Sequence, residues 1–495
     1  MVSRRRAAGA LWLGVALIFV GANAAAQVES LVTTNQQIVI NGRPLRYVAY
    51  VGRIPIKDAE SGEPHGYMGF IAYRVPTQGT TRPLTFLWNG GPGSNSTLLH
   101  FEAVGPKRLE RGALIDNQET VLTHTDLVFV DPIGTGFSRP TKPEYGAEFY
   151  QTNGDVRSVT EFVRAWRLLF DATDSPLFVG GESWGSGRAA AVALALERMR
   201  IHVDGTILIS GGTALRSSPI PRELALAHRI IQVVPTAMFH GRLSSELGRD
   251  TAAIYAQIRR WAADTYAPAL ARIDSLSDTE RDAIATQLSR FMGLPRDQID
   301  RRTLQVTPRQ YLTGFFRAEA KVLNTFDMRR AGADASDSGS SSAMERYIRR
   351  TLGYKTDLAY IGLGGASFAQ GYSPTGTPAR AVGSRWDYFS GTISPDSAAV
   401  LSRAAAERGG GPPGPPREPA TSLALELNPR MRVHIASGSF DSLNNCEATE
   451  EQLRRLDPKV RASVTHRCYV GGHMFYRDPE SRRQFSADLK RLVTK

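Results

Sequence analysis

Gly181-Glu182-Ser183-Trp184-Gly185 fits the pattern G-x-S-x-G. On a tight turn between a strand and a helix, that pattern presents a serine hydroxyl above a sheet as a nucleophile, and flanking glycines let neighbouring backbones approach without a Cβ in the way. The setting is right here: Pro176 to Gly180 reads as a buried strand and Arg188 to Arg200 as a helix rich in alanine and leucine. An activated serine needs a general base and a carboxylate that orients the base. For an elbow serine the expected chain order is Ser, then Asp or Glu, then His. Six histidines follow Ser183: His202, His228, His240, His434, His466 and His473. His434 and His466 fall inside expected strands, where a structural role is expected, and His228 and His240 fall in a helical stretch. His473 follows Gly471-Gly472 just past the apolar run ending at Val470, where a histidine can reach over the nucleophile; it is the expected base. Asp441, on the loop Ser437-Gly438-Ser439-Phe440-Asp441 beyond another strand, is the expected acid, because functional groups in such sheets gather past the strand C-termini. Asp131 also ends a strand but precedes the serine, and reads as part of a pocket-shaping turn.

A second glycine cluster, Trp88-Asn89-Gly90-Gly91-Pro92-Gly93, follows the strand Leu84–Trp88. Main-chain N–H groups in such a turn can hold a developing oxyanion, which assigns Gly91 and Trp184 as donors. The alternative is a plain tight turn. Cys446 and Cys468 are the two cysteines of the chain and form no C-x-x-C motif; in an oxidising compartment one disulfide between them is expected, against two buried thiols. No metal-spaced His/Cys/Glu motif is present, so neither metal nor cofactor is implied.

These residues must be carried by a scaffold. Leu45 to Val51, Tyr67 to Tyr73 and Leu84 to Trp88 are rich in aromatic and β-branched residues and read as strands. Asp126 to Asp131 is nearly all apolar, as for a strand covered on both faces. Val156, Val159, Val163, Trp166 and Phe170 recur at spacings of three and four, one apolar helical stripe. Thr206–Ser210, Arg432–Ala436 and Val464–Val470 add further strands. The alternation of strand and helix predicts an α/β fold with a mostly parallel sheet. Residues 213–385 look mainly helical and read as an inserted cap between a first core part, 27–212, and a second, 386–495. Ala331 to Ala343 and Gly409 to Pro416 read as loops.

Length and composition agree. A chain of 495 residues, 42% hydrophobic and 22% charged, can bury a large core in about two to four domains. Residues 1–26 read as an export signal: Arg4-Arg5-Arg6, an apolar run Leu11–Val20, then small residues before Gln27. The apolar run is short for a membrane span, so the mature chain is expected in a bacterial periplasm or outside the cell, with no stable membrane insertion. Losing three arginines lowers the net charge from +12 to +9. Basic and aromatic residues do not gather into a groove, so a solvated basic surface is expected rather than a nucleic-acid partner.

The ordered segments WNGGPGS (88–94), DLVFVDPIGTGFS (126–138), GESWGSG (181–187), SGSFD (437–441) and GGHM (471–474) resemble those of serine carboxypeptidases, enzymes of the α/β-hydrolase fold. The resemblance implies Ser183, Asp441 and His473 as the triad and a peptide with a free C-terminus as substrate. It implies that Asn89, Gly90 and Glu182 bind the terminal carboxylate, which a glutamate can do only if a proton is shared between the two acids. Two departures stand out. The family commonly has a second glutamate two residues before a Gly-Pro pair; here Ala103 precedes Gly105-Pro106 and Glu102 is displaced by one. Trp184 stands where a tyrosine is usual. An esterase or acyltransferase with the same triad, or a binding module without catalysis, would share this sequence pattern.

Overall fold

Successive residues of the strand Asp126–Asp131 point to opposite faces of a sheet, and both faces are covered: Val128 and Val130 enter one apolar core, Leu127 and Phe129 another. In the computed structural model the described residues are 28–79, 81–243, 247, 250–332, 343–362, 371–372, 378–379, 382–391, 397, 400–401 and 418–494. The expected leader 1–26, the run 409–416 and most of the loop 331–343 lie outside them. The main strands are β1 (Glu29–Ile40), β2 (Arg43–Lys57), β3 (Pro64–Arg74), β4 (Leu84–Trp88), β5 (Asp126–Asp131), β6 (Leu177–Glu182), β7 (Gly205–Ile209), β8 (Arg432–Gly438) and β9 (Val464–Tyr469). They form one sheet in the order β1-β2-β3-β5-β4-β6-β7-β8-β9. The first three strands meet antiparallel, and from β5 to β9 every pairing is parallel. This is the α/β-hydrolase fold.

Helix α1 (Thr152–Leu169) lays Val159, Val163 and Trp166 on one face of the sheet. Helix α2 starts at Trp184 and runs to Arg198. Sequence reading starts it four residues later because Gly185, Ser186 and Gly187 are poor helix formers; the turn out of β6 overrides that preference. Strand β1 is also absent from the sequence reading. It lies at the sheet edge, half exposed and polar, and lacks the apolar signal of a buried strand.

The stretch 213–385 divides in its packing. Residues between Ala227 and Met328 build their own apolar core, beginning with helix α3 (Arg222–Phe239). Met344, Tyr347, Ile348, Leu352, Tyr354 and Tyr360 instead join the core on one face of the sheet, and Val382 and Trp386 join the other. The separately packed unit therefore ends well before residue 385. Of these later residues, 343–351 are helical as expected, but they pack on the sheet rather than in the separate unit. Among the described residues no helix is long and apolar enough to cross a membrane, and no group of three or more acidic, His or Cys side chains could hold a metal ion.

The parallel strands end together. Trp88 pairs with Gly181, Ile209 with both Glu182 and Ala436, and Gly438 with Tyr469. The loops carrying Asn89, Ser183, Asp441 and His473 all leave from this edge.

Candidate active site

Ser183 lies between the last residue of β6 and the first of α2, with φ 59° and ψ −125°. A non-glycine residue in that region is strained by roughly 1–3 kcal/mol and persists only where its surroundings dictate it. The surroundings do: Ser183 N–H donates to Ile209 O at 2.8 Å, and the Ser183 carbonyl accepts from Ser186 N–H at 3.0 Å and Ser186 Oγ at 2.9 Å. The turn is so tight that a Cβ on Gly181 would lie 2.0 Å from Gly185 O, so only glycine fits there.

His473 Nδ1 is 2.7 Å from Asp441 Oδ2, and both side chains are buried. Burial works against the imidazolium, yet the Asp441 charge and hydrogen bond, with Glu182 beyond, outweigh it and hold the His473 pKa above its ordinary value. His473 Nε2 is buried without a hydrogen-bond partner; the Ser183 Oγ–His473 Nε2 bond is not formed. Before substrate binds, such catalytic bonds are often long. Hydrogen bonds bring His473 and Ser183 to the same strand end: Ser210 Oγ donates to His473 O at 2.6 Å, and Ser210 follows Ile209, the acceptor for Ser183 N–H.

Asp441 is oriented from several sides. Its Oδ2 also accepts from Asn444 Nδ2 at 2.7 Å, and Asn444 Nδ2 reaches Ser210 O at 2.8 Å. Its Oδ1 accepts from Leu443 N–H at 2.9 Å. From α3, Gln232 Nε2 donates to the carbonyls of Asp441 and Asn444, both at 3.0 Å. A second segment of the helical unit reaches the base: Phe326 O accepts from His473 N–H at 2.6 Å, and the two rings lie 5.4 Å apart. Thr325 O accepts from Ser442 Oγ at 2.7 Å, and Met328 N–H donates to Phe440 O at 2.9 Å. A disulfide joins Cys446, just beyond the acid loop, to Cys468, near the end of the strand that leads to the base.

On the other side of Ser183, Asn89 Nδ2 donates to Glu182 Oε1 at 3.0 Å, while Asn89 Oδ1 accepts from Leu99 N–H at 3.3 Å. A Cβ on Gly90 would lie 2.6 Å from both Glu182 O and Trp184 N, so the glycine turn presses directly on the elbow at Gly90. Arg188, buried on α2, donates to Asn89 O at 2.9 Å and pairs at 2.5 Å with Asp155 of α1, also buried. Glu182 Oε2 accepts from the Tyr476 hydroxyl. Burial raises the Glu182 pKa; His473, the Tyr476 hydrogen bond and Arg477 oppose that rise, and Glu102 adds to it. Glu102 pairs with Arg477 at 2.5 Å and makes no hydrogen bond to Glu182. Among the described residues no second glutamate is hydrogen-bonded to the elbow glutamate; a tyrosine hydroxyl is. The Trp184 ring meets Trp386 and Tyr388 edge-on, with centroids 5.8 and 5.4 Å away.

Asp131 and four of the other histidines have partners elsewhere. Asp131 takes Ser96 N–H and Oγ, both at 2.8 Å, and the Tyr360 hydroxyl at 2.9 Å, which fixes the turn after β5. His434 lies between Thr465 Oγ1 and Tyr469 OH at 3.0 Å each, and burial pushes its pKa down to about 3. His466 pairs with Glu450, His202 with Glu197 and His240 with Met328 O. Sequence reading did not find Arg188, Asp155, Gln232, Phe326, Asn444 or Tyr476. Arg188 was discoverable as a charge on an otherwise small and apolar helix. The others have no local signal, since each acts through a contact made only in the fold.

The family model described as serine carboxypeptidase matches residues 49–196. Among solved structures, a prohormone-processing carboxypeptidase from Saccharomyces cerevisiae is similar, with 14% identity, 90% of each chain covered and a TM-score of 0.50. A thermophilic esterase from Thermogutta terrifontis is 12% identical, over 89% of this chain and 99% of that one, with a TM-score of 0.33. No curated protein sequence matches the chain.

Proposed function

We propose, for a chain that belongs to the serine carboxypeptidase family, that it releases C-terminal amino acids from peptides through an acyl-enzyme on Ser183. The observation that carries this reading is the buried Asn89–Glu182 pair, 3.0 Å apart, on the residue next to the nucleophile. A peptide enters C-terminus first, and Asn89, Gly90 and Glu182 hold its carboxylate. Ser183 Oγ attacks the last peptide carbonyl while His473 Nε2 takes its proton, and Asp441 stabilises the imidazolium. The N–H groups of Gly91 and Trp184 hold the oxyanion. The C–N bond breaks as His473 returns the proton to the departing amine. Water, deprotonated by the same imidazole, then attacks the ester and frees Ser183. The Cys446–Cys468 bridge supports an exported chain, since such bonds persist in oxidising compartments.

The test is digestion of an N-blocked peptide and its C-terminal amide, read by mass spectrometry with Ser183→Ala as control. Stepwise loss of terminal residues from the free acid only, abolished in the variant, is expected. Equal cleavage of acid and amide would remove the carboxypeptidase reading. A second reading, an esterase or acyltransferase with the same triad, is favoured by one observation: both Glu182 oxygens already accept hydrogen bonds, from Asn89 and Tyr476. Faster turnover of uncharged esters than of any peptide acid would select it.

A further inference from the structure

We propose that Tyr476, with the Glu102–Arg477 pair beside it, sets the pH up to which this site accepts a free C-terminal carboxylate, by supplying a hydrogen-bond donor to the Glu182 carboxylate. The inference rests on the carboxypeptidase reading and deepens it.

Glu182 is 2% exposed and Tyr476 fully buried, so neither exchanges its partner for water. Glu182 Oε1 accepts from Asn89 and Oε2 from Tyr476. The Asn89 amide is fixed in that sense because its oxygen is occupied by Leu99 N–H. Burial and the neighbouring carboxylates push the Tyr476 phenol far above its ordinary range, so it remains a donor throughout the pH range of a folded protein. Two donors on one carboxylate favour its charged form. A substrate carboxylate is charged, and two contacting acids cannot both be ionised, so the bound pair must share one proton. The more firmly Glu182 is held ionised, the lower the pH at which that proton becomes too costly.

The charged and titratable groups facing Glu182 come from two further segments. Residues 99–104 bring Glu102, which makes Glu182 easier to protonate, and residues 473–477 bring His473 and Arg477, which make it harder. Glu102 pairs with Arg477 at 2.5 Å and so also offsets the arginine charge. Tyr476 is a positioning residue in this scheme: it acts through Glu182 and forms no bond to the reacting atoms.

The experiment measures KM against pH for an N-blocked dipeptide with a free C-terminus, its C-terminal amide, and p-nitrophenyl acetate, in the full chain and in Tyr476→Phe and Glu102→Gln. Read as a ratio to p-nitrophenyl acetate turnover, Tyr476→Phe is expected to lower KM for the free acid about tenfold near pH 7 and to move its basic limb to higher pH, since a hydrogen bond to the charged form is lost. Glu102→Gln is expected to move the limb the other way. If the free acid is preferred but both profiles match the parent, the role of Tyr476 is overturned and the carboxypeptidase reading stands. If the parent shows no preference for the free acid over the amide, both fall. If Tyr476→Phe does not fold, Glu102→Gln decides alone: an unmoved limb, or one at higher pH, overturns the proposal.

Discussion

The two sides of Ser183 are held together by different means. On the side of the glycine turn, buried side chains do the fixing: Asp155 grips Arg188, Arg188 holds Asn89 O, and Asn89 holds Glu182. All four lie within the first 188 residues, on elements of the sheet core. On the side of the acid and base, the fixing comes from the helical unit and a covalent link. Gln232 and residues 325–328 bind the loops of Asp441 and His473 through backbone atoms, and Cys446–Cys468 ties the two segments together. The difference teaches that one half of the site is set when the sheet core forms, whereas the other half needs the insert to be docked. Backbone carbonyls also accept from any suitable donor, so the second half constrains sequence less than the first.

That contrast can be broken by substitution. His473→Ala removes the proposed base and is expected to lower kcat by about 10⁴-fold with the fold retained; near-normal turnover would end the triad assignment. Asp441→Asn is expected to lower kcat comparably and to move the acid limb of kcat/KM to lower pH. The sign follows because the base must be neutral, and Asp441 is what raises the His473 pKa against its burial. Arg188→Met leaves Asp155 charged, buried and alone, at an expected stability loss of about 3–5 kcal/mol in denaturant melts. A loss below 1 kcal/mol would mean that the glycine-turn side does not depend on this pair.

Reducing the disulfide separates the other side. The bridge spans 22 residues in sequence and is expected to contribute about 3 kcal/mol, read as a lower unfolding midpoint under reductant. Gln232→Ala strips donors from the carbonyls of Asp441 and Asn444 and is expected to lower kcat about tenfold, since leaving a buried acceptor unsatisfied costs about 1–3 kcal/mol. KM should change less than kcat. A kcat equal to that of the parent would show that the insert covers the site without positioning it.

The order Ser183, Asp441, His473 was legible in the sequence because each lies on a short polar or glycine-rich loop directly after an apolar strand. The same rule found the glycine turn after β4, and the resemblance to serine carboxypeptidases pointed to Asn89 and Gly90 within it. Tyr476 was hidden for a physical reason: it follows His473-Met474-Phe475 and looks like one more core aromatic, and only its hydroxyl reaching Glu182 distinguishes it. Glu102 shows the converse. It stands one residue from the place of the absent family glutamate, and its carboxylate turns to Arg477.

By itself the sequence determined which strands are buried on both faces, where the chain turns sharply enough to expose a serine, and the chemical types available at the strand ends. Those are local properties, set by side-chain volume, polarity and backbone freedom. The tertiary structure decided which polar groups face each other once water is gone: that a tyrosine rather than a glutamate meets Glu182, that the insert holds both the acid and the base, and that the chain after residue 343 returns to cover the sheet. Partner choice among buried polar groups depends on contacts between residues hundreds of positions apart, and no local pattern encodes it.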